Sequence, residues 1–357
     1  MNIAYFVSPH GYGHAARSCA VMQALADVDK SLSVDIFTSV PKWIFAESLN
    51  FGFNYHEFQS DVGFIQETPF KINFNKTICA LNNIYPVKEE LIFSLLPELK
   101  NKDLIVCDVS PVGIYVANQL GIKSLLIENF TWDWIYQAYL QKCPELNTYS
   151  VIINCYNKLT DFHIKTIPFC QNDGADFYAN PVARRIKKSA SLLRKEIGID
   201  SDFRIGLITL GGIESRFNSF EPISKFSNVK FIVPVMTTNE IMVQDNVIML
   251  PHKNQFFHPD LINLSDFIIG KLGYSTVAEA YHFGIPFGFI RRDGFPESPV
   301  LENFIEAEKM GIGIGEAEFM TDKLETFIDQ LIPIPKVQRQ TVNGAQQIAD
   351  FILHKLT

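Results

Sequence analysis

A chain of 357 residues, 47% of them hydrophobic, is too long for one compact core and predicts two domains. The formal net charge of -8 argues against a nucleic acid held mainly through its phosphates, because that binding needs a broadly basic face. The six cysteines are scattered without a CxxC pair, so neither a zinc site nor a disulfide framework is indicated, and we expect reduced thiols and a cytoplasmic protein.

The first half of the chain has the pattern of a parallel sheet. Short runs rich in Val, Ile and Phe alternate with helical patterns, as they do in βαβ units. The near-continuous apolar runs in "DLIVCD" and "KSLLIEN" indicate strands that are buried on both faces. We predict a Rossmann-like domain over residues 1–165, with strands at residues 2–8, 33–38, 103–108 and 123–128.

The first predicted strand ends in "SPHGYGHAARS", which holds two glycines and two histidines. Gly11 and Gly13 lack the third glycine of a dinucleotide fingerprint, so they are weak evidence for a nicotinamide enzyme. Open α/β sheets bind ligands beyond the carboxyl ends of their strands, which predicts that His10 and His14 face a crevice where a base could act. The alternative is that both histidines only cap or pack the turn.

The strand pattern stops between the two halves. Residues 166–200 contain Pro181 and a basic cluster that runs from Arg184 to Lys195. We interpret this segment as an interdomain linker.

The second half repeats the α/β pattern and ends in a helix. Strand-like runs in "FRIGLITLGG", "VKFIVPV", "NVIML", "DFIIGK" and "IPFGFIRR" predict a second Rossmann-like domain over residues 201–335. Residues 336–357 are predicted as an amphipathic helix that crosses back to the first domain. Its apolar side carries Ile348, Phe351, Ile352 and Leu356.

The stretch "FIIGKLGYSTVAEAY" combines a strand, a loop with Gly273 and a helix that begins near Ser275. The unpaired N–H groups and positive dipole end of such a helix would bind a diphosphate, and Lys271 could add charge. The alternative is a capping box, in which Thr276 and Glu279 only satisfy backbone donors.

Three blocks together resemble a known family. They are "HGYGHAARS", "CDVSPVGIYVANQLGIKSLLIENFTWDWIY" and "GKLGYSTVAEAYHFGIPFGFIRRDGFPESPVLEN". The chain resembles the two-domain GT-B glycosyltransferases, and most closely the N-terminal glycosyltransferase-like half of plant L-arabinokinases. The third block is also similar to the peptidoglycan-precursor N-acetylglucosaminyltransferase. The resemblance implies two Rossmann-like domains that face each other across a cleft. The kinase half has no counterpart in the sequence, so a sugar kinase is not expected.

The resemblance implies catalytic roles for two residues. His14 occupies the place of the family's general base, which removes a proton from the acceptor hydroxyl, and Asp108 that of the aspartate that orients it. A carboxylate on the far nitrogen of an imidazole selects its tautomer and stabilises the imidazolium that forms. Asp108 could instead cap the following helix, and His10 remains the rival base.

The resemblance also implies a donor site on the second domain. Glu279 matches the glutamate that holds the ribose hydroxyls. Gly211 and Gly212 follow an earlier predicted strand, in "ITLGGIES", and are a second place where the backbone could approach the donor. The loop "RRDGFPE" occupies the place that contacts the donor sugar, although it departs from the acid-glutamine pair of the plant natural-product enzymes. The donor-binding candidates are Gly211, Gly212, Lys271, Gly273, Ser275, Thr276, Glu279, Asp293 and Glu297.

The acceptor side of the cleft is expected on the first domain. Aromatic faces often stack on sugars, although a core role is the alternative for a buried tryptophan. The acceptor candidates are His10, Gly11, Gly13, Arg17, Glu128, Trp132 and Asp133.

The family pattern further favours inversion without a metal. Retaining members commonly show two glutamates separated by seven residues in the second domain, and no such pair includes Glu279, Glu297, Glu302 or Glu306. Glu308 and Glu316 have this spacing, but both follow the loop expected to contact the donor sugar. Helix dipole and backbone donors would stabilise the leaving diphosphate, so we expect no cofactor beyond a nucleotide-sugar donor. A UDP-sugar is the first expectation, with GDP and dTDP as alternatives. A sugar-nucleotide 2-epimerase and a non-catalytic sugar-nucleotide sensor remain alternative functions.

Several partners cannot be identified from the sequence. The acceptor could be a small molecule, a lipid-linked sugar, a polysaccharide or a protein, and the oligomeric state is open. No window reaches the roughly 18 apolar residues of a membrane span. The 30 phenylalanines leave peripheral membrane contact open.

Overall fold

The computed structural model describes residues 1–68, 71–209, 221–235, 240–251, 256–292, 294–319, 321 and 323–356. The chain divides into two compact units. Unit 1 comprises Met1–Ala183 and Val342–Thr357, and unit 2 comprises Arg184–Thr341. Each unit is an α/β domain built on a seven-stranded sheet, which confirms the predicted fold class.

The described residues of unit 1 form nine strands. They are β1 (Asn2–Val7), β2 (Ser33–Thr38), β3 (Asn54–Glu57), β4 (Gln66–Thr68), β5 (Lys71–Ile72), β6 (Leu104–Asp108), β7 (Ser124–Glu128), β8 (Phe162–Thr166) and β9 (Phe177–Ala179). Seven of them form one parallel sheet in the order β3-β2-β1-β6-β7-β8-β9, and β4 and β5 form a small antiparallel pair.

The helices of unit 1 cover the sheet. They are α1 (Gly13–Val28), α2 (Lys42–Ser48), α3 (Phe74–Ile84), α4 (Glu89–Leu99), α5 (Pro111–Leu120), α6 (Trp132–Gln137), α7 (Leu146–Asn157) and α15 (Gly344–Leu356). The C-terminal helix α15 packs against α1, and its Ile348, Ala349 and Ile352 join the core formed by β1 and its neighbours. Positions i, i+1 and i+4 lie on the same side of a helix, which explains why these three side chains are buried together.

Unit 2 repeats this architecture. Its helices are α8 (Ala190–Ile197), α9 (Glu221–Ser224), α10 (His258–Leu264), α11 (Tyr274–Phe283), α12 (Ser298–Ala307), α13 (Glu316–Phe319) and α14 (Lys323–Leu331). Its strands are β10 (Arg204–Thr209), β11 (Val229–Val235), β12 (Met242–Gln244), β13 (Val247–Pro251), β14 (Phe267–Lys271), β15 (Phe287–Ile290) and β16 (Gly311–Ile314). The sheet order is β12-β13-β11-β10-β14-β15-β16, and every pairing is parallel except that of the edge strand β12.

The segment expected to be a linker has regular structure. Residues 166–200 include β9, which belongs to the sheet of unit 1, and α8, which belongs to unit 2. The division between the units falls between Ala183 and Arg184. The strand β9 has only three residues, one of them buried, which is too short for a period-two pattern to reveal.

Each sheet has a point at which the strand order reverses. In unit 1 this point lies between β1 and β6, and in unit 2 between β10 and β14. Loops that leave the carboxyl ends of such strand pairs diverge and open a crevice, which is where open α/β sheets bind ligands. None of the helices in the described ranges has the length and apolar character that a membrane crossing requires.

Candidate active site

The loop after β1 leads directly into α1. Gly11 has a φ of +73°, a conformation that favours glycine, and α1 begins at Gly13. His14 and Arg17 are one turn apart and therefore lie on the same face of α1. That face meets the carboxyl end of β6, where Asp108 is the last residue of the strand.

His14 and Asp108 form a buried hydrogen-bonded pair. The distance from His14 Nδ1 to Asp108 Oδ1 is 2.8 Å, and His14 is 8% exposed. A carboxylate can only accept, so Nδ1 carries the proton of this bond and Nε2 of the neutral ring has a free lone pair. The arrangement suits a base whose tautomer is set by its partner.

Arg17 binds the same carboxylate with two nitrogens. Its Nε lies 2.8 Å from Asp108 Oδ2 and its Nη2 lies 2.6 Å from Oδ1, while the Ser18 hydroxyl donates to Oδ2 at 3.2 Å. Its Nη1 donates to the side chains of Asn129 and Thr166 at the ends of β7 and β8. Burial alone would raise the pKa of Asp108, but the charge of Arg17 and hydrogen bonds from Arg17 and His14 outweigh it and hold that pKa below its usual value.

Asp108 does not cap the helix that follows it. The helix α5 begins at Pro111, and the residue before it, Ser110, occupies the capping position. The carboxylate of Asp108 is fully buried and directed toward α1. The alternative interpretation of Asp108 as a helix cap is therefore wrong.

His10 packs within an aromatic cluster. Its ring meets that of Trp132 edge to face at a centroid distance of 4.8 Å. Trp132 in turn contacts Phe130 at 5.3 Å, and Phe130 contacts His14 at 5.9 Å. We call His10, Phe130 and Trp132 the aromatic wall. Trp132 is 2% exposed, so its side chain contributes to the core of unit 1.

Two further acceptor candidates are engaged in contacts within unit 1. The carboxylate of Asp133 accepts hydrogen bonds from Asn154 at 2.9 Å and Asn157 at 3.2 Å, which joins α6 to α7. Glu128 Oε1 accepts from His163 at 3.0 Å and lies 3.2 Å from the ammonium of the buried Lys165. The structure thus places Glu128 in an ion-paired group on β7 and β8.

In unit 2 the helix α11 starts where the sequence predicts. Gly273 occupies the capping position and has no side chain with which to cap the helix. The first turn, which contains Ser275 and Thr276, therefore presents backbone N–H groups that lack partners within the helix. Such an end attracts anions.

Glu279 lies in the second turn of α11 and does not form a capping box. Its Oε1 accepts a hydrogen bond of 2.8 Å from Arg184 Nε, and its Oε2 lies 3.7 Å from His258 Nδ1. The capping-box alternative is wrong, because Glu279 is directed into the unit and not back to the helix start. Burial would raise the pKa of Glu279, but the charge of Arg184 and the contact with His258 lower it below its usual value.

Lys271 is the last residue of β14, and two residues separate it from the start of α11. Burial, assisted by the nearby charge of Arg292, lowers the pKa of Lys271 to about 8, and Glu297 opposes this shift. Glu297 stands at the start of α12, 3.3 Å from Arg292 Nη1. Three other donor candidates lie outside the described residues: Gly211, Gly212 and Asp293.

The structure adds residues that the sequence analysis does not single out. Ser18 donates to Asp108, and Asn129 and Thr166 accept from Arg17. Arg184 and His258 flank Glu279. In the sequence, only the position of a residue relative to a strand could have identified them, because Asn129 directly follows a strand and Thr166 ends one. Within the described ranges, no three His, Cys, Asp or Glu side chains are grouped as metal ligands would be.

The sequence is similar to those of known proteins over its full length or over parts of it. The model of the family described as "Glycosyl transferase family 1" matches residues 1–333. The chain is 27% identical over 365 residues to L-arabinokinase of Arabidopsis thaliana. The alignment covers 99% of this chain and 34% of that protein. It is 34% identical over 90 residues to the UDP-N-acetylglucosamine--N-acetylmuramyl-(pentapeptide) pyrophosphoryl-undecaprenol N-acetylglucosamine transferase of Thermotoga petrophila, which covers 25% of this chain and 26% of that protein. The chain therefore spans about a third of the arabinokinase's length.

Solved structures share the fold over the whole chain. The glycosyltransferase of kitacinnamycin superimposes with a TM-score of 0.68 at 14% identity and covers 100% of this chain and 99% of its own. The spinosyn forosaminyltransferase superimposes with a TM-score of 0.60 at 16% identity and covers 100% of this chain and 94% of its own. At these identities the likeness shows the fold alone, which is GT-B as the resemblance implies.

Proposed function

Because the chain belongs to glycosyl transferase family 1, we propose that it is a glycosyltransferase that transfers a sugar from a nucleotide-diphosphate sugar to an acceptor hydroxyl with inversion. His14 is the general base of this reaction. The observation that carries the proposal is the buried bond of 2.8 Å between His14 Nδ1 and Asp108, which leaves Nε2 as the basic nitrogen.

The proton transfer follows from this geometry. The acceptor hydroxyl gives its proton to His14 Nε2 as its oxygen attacks the anomeric carbon, and the bond from that carbon to the diphosphate breaks with the electron pair leaving on phosphate oxygen. The imidazolium that forms is stabilised by Asp108, which remains ionised because Arg17 binds both its oxygens. A positioned base of this kind typically accelerates transfer ~100-fold to 10,000-fold.

The donor is bound by unit 2. The diphosphate is held at the start of α11, where backbone N–H groups at Ser275 and Thr276 and the ammonium of Lys271 complement its charge. These donors stabilise the leaving group without requiring a metal ion. Glu279 accepts the ribose hydroxyls, since its Oε2 is too far from His258 for a hydrogen bond and has a lone pair to offer.

The preferred donor is a UDP-sugar, and GDP- and dTDP-sugars are the alternatives. The acceptor is a hydroxyl compound whose class is open. The site of the reaction is the cytoplasm, a proposal supported by the six free cysteines.

Ligand-dependent unfolding tests the donor, and product analysis tests the reaction. Melting curves with UDP-, GDP- and dTDP-sugars should reveal a donor, because a ligand at 100 times its Kd adds about 2.7 kcal/mol of stability. The anomeric configuration of the product, read by NMR, should be opposite to that of the donor. A new epimer formed from the donor alone, without acceptor, would instead identify a 2-epimerase. Retention of configuration, or donor binding without any transfer across a broad acceptor panel, would contradict the proposal.

A further inference from the structure

A second buried carboxyl, Asp61, lies beside the loop that carries the proposed base. Asp61 is fully buried in the segment of residues 59–64, which we call the 59–64 segment. The Ser8 hydroxyl, just beyond the end of β1, donates to Asp61 Oδ2 at 2.9 Å, and the Tyr85 hydroxyl lies 3.4 Å from Oδ1. Asp61 therefore connects the 59–64 segment to the first residue of the loop that holds His10.

The 59–64 segment is bound to the ends of two central strands. The Ser60 hydroxyl donates to the carbonyl of Val7, the last residue of β1. The hydroxyl of Ser110, two residues after β6, donates to the carbonyl of Ser60 at 2.9 Å. The segment is thus anchored to both strands that flank the switch point of unit 1.

The same segment supports the aromatic wall by close contact. Gly63 has a φ of +62°, and a Cβ at this position would lie 2.6 Å from the indole of Trp132 and 2.7 Å from the ring of His10. The Tyr136 hydroxyl donates to the carbonyl of Gly63 at 2.8 Å. Because backbone is packed directly against both rings, a displacement of Gly63 must displace His10 and Trp132.

The surroundings of Asp61 are neutral, in contrast to those of Asp108. Within the described part of the chain, no lysine, arginine or histidine pairs with it. The titratable groups that face it are the phenols of Tyr85 and Tyr136, whose own pKa values burial raises well above the usual value, so both are uncharged. A buried carboxylate without a cation is costly, and a buried carboxylic acid with hydroxyl partners is not.

We propose that Asp61 is a positioning residue that acts as a neutral acid, and that its ionisation displaces the 59–64 segment, and with it the aromatic wall, so that sugar transfer declines at alkaline pH. The inference rests on the proposed function, because it concerns the side of the site where the acceptor meets His14. The proton released by Asp61 goes to solvent.

The range of pH follows from the burial. Burial raises the pKa of Asp61 to about 7, and hydrogen bonds from the Val62 N–H and from Ser8 only partly oppose this. Below that pH the acid is neutral and the segment is seated. At pH 8 only ~10% of such a group is protonated, so transfer should be ~10-fold below its plateau. A general base loses activity in the opposite direction, as the pH falls, so the two limbs are distinguishable.

The isosteric variant Asp61→Asn tests the proposal, because an amide keeps the shape and hydrogen-bonding capacity of a protonated acid but cannot ionise. Its transfer rate at pH 6 should stay within ~3-fold of the wild type, and its alkaline limb near pH 7 should be absent, which gives a rate at pH 8 ~10-fold above that of the wild type. An unchanged alkaline limb in Asp61→Asn would overturn the proposal. The matched control is Asp161→Asn, which removes a carboxylate from the remote start of β8 and should leave the limb in place.

A second measurement does not depend on the transfer reaction. In a background with Trp43→Phe and Trp134→Phe, fluorescence reports on Trp132 alone, since the chain has three tryptophans. Its emission should titrate near pH 7, and Asp61→Asn should abolish that transition. Absence of the transition in the wild-type background would overturn the inference even if transfer is confirmed. Its presence in a protein that shows no transfer would leave the positioning role intact and contradict only the proposed function.

Discussion

Two buried carboxylates, one in each unit, have the same kinds of neighbours in different geometry. Asp108 in unit 1 and Glu279 in unit 2 each contact an arginine and a histidine. Asp108 receives two bonds from Arg17 and one each from His14 and Ser18. Glu279 accepts one short hydrogen bond, from Arg184, and the Nδ1 atom of His258 lies 3.7 Å from its carboxylate.

The difference shows how the number of donors assigns a role to a carboxylate. With four donors on two oxygens, Asp108 has little capacity for a substrate and can act only through His14. Glu279 has an oxygen that can accept a ligand hydroxyl. The histidines follow the same division, since the side chain of His14 is 9% exposed and that of His258 is 32% exposed. The difference supports the proposed division, in which unit 1 orients the base and unit 2 binds the donor.

The largest effect is expected from His14→Ala. Transfer should fall ~100-fold to 10,000-fold, because the proton acceptor is lost, while donor affinity should be unchanged. Initial rates and calorimetric titration with the donor measure the two quantities. His10→Ala is the control and should lose less. Near-normal transfer in His14→Ala would mean that the base lies elsewhere and that Asp108 has only a structural role.

Asp108→Asn should damage stability as well as rate. Removing one charge from a buried ion pair leaves Arg17 uncompensated and costs ~3 kcal/mol or more, which denaturant unfolding measures. In the His14→Ala background the same substitution should add little further loss of rate, because the two residues act as one unit. If the two substitutions reduced the transfer rate by independent factors in the double variant, Asp108 would not act through His14.

Glu279→Ala tests whether the carboxylate of unit 2 is a ligand. Loss of hydrogen bonds to a charged group costs ~1.5–3 kcal/mol, so donor affinity should fall ~10-fold to 150-fold. Calorimetry checks the affinity, and Glu325→Ala, which removes an exposed carboxylate of unit 2, serves as the control. If stability fell while affinity stayed constant, Glu279 would be a structural partner of Arg184 in the way that Asp108 is of Arg17.

The smallest effect concerns pH and Lys271. An anionic donor favours the protonated amine, whose pKa is about 8 in the free protein. Donor affinity should therefore be constant below pH 8 and decline by up to ~10-fold over the next pH unit, as the amine loses its proton. Lys271→Arg should bind with no such decline, because arginine stays charged throughout this range. If the donor affinity of Lys271→Arg still declined above pH 8, the decline would be due to another titrating group.

Local patterns determined much of the fold. The apolar runs at residues 2–8, 103–108 and 266–271 become β1, β6 and β14, because a strand buried on both faces must be apolar along its length. Within the two large sheets, the sequence did not predict β3, β8, β9, β12 and β16, and it also did not predict the small pair β4 and β5. In the large sheets these are the edge strands, except that β8 lies next to an edge. The edge strands are short and have few buried residues, so their sequences carry little periodic signal.

The sequence by itself placed His14, Asp108 and Gly273 at the ends of elements, because turn glycines and strand ends are local features. It did not identify Asp61 or the partners of Arg17 and Glu279. Asp61 lies 53 residues from Ser8 along the chain, and Glu279 lies 95 residues from Arg184. Asn129 and Thr166 lie 112 and 149 residues from Arg17. The order of strands in the parallel sheet decides those contacts, since β1 and β6 become neighbours only when the crossover helices pack. Whether a buried carboxyl is charged depends in turn on which side chains the fold brings to it. Arginine reaches Asp108 and hydroxyls reach Asp61, and only the tertiary structure makes that distinction.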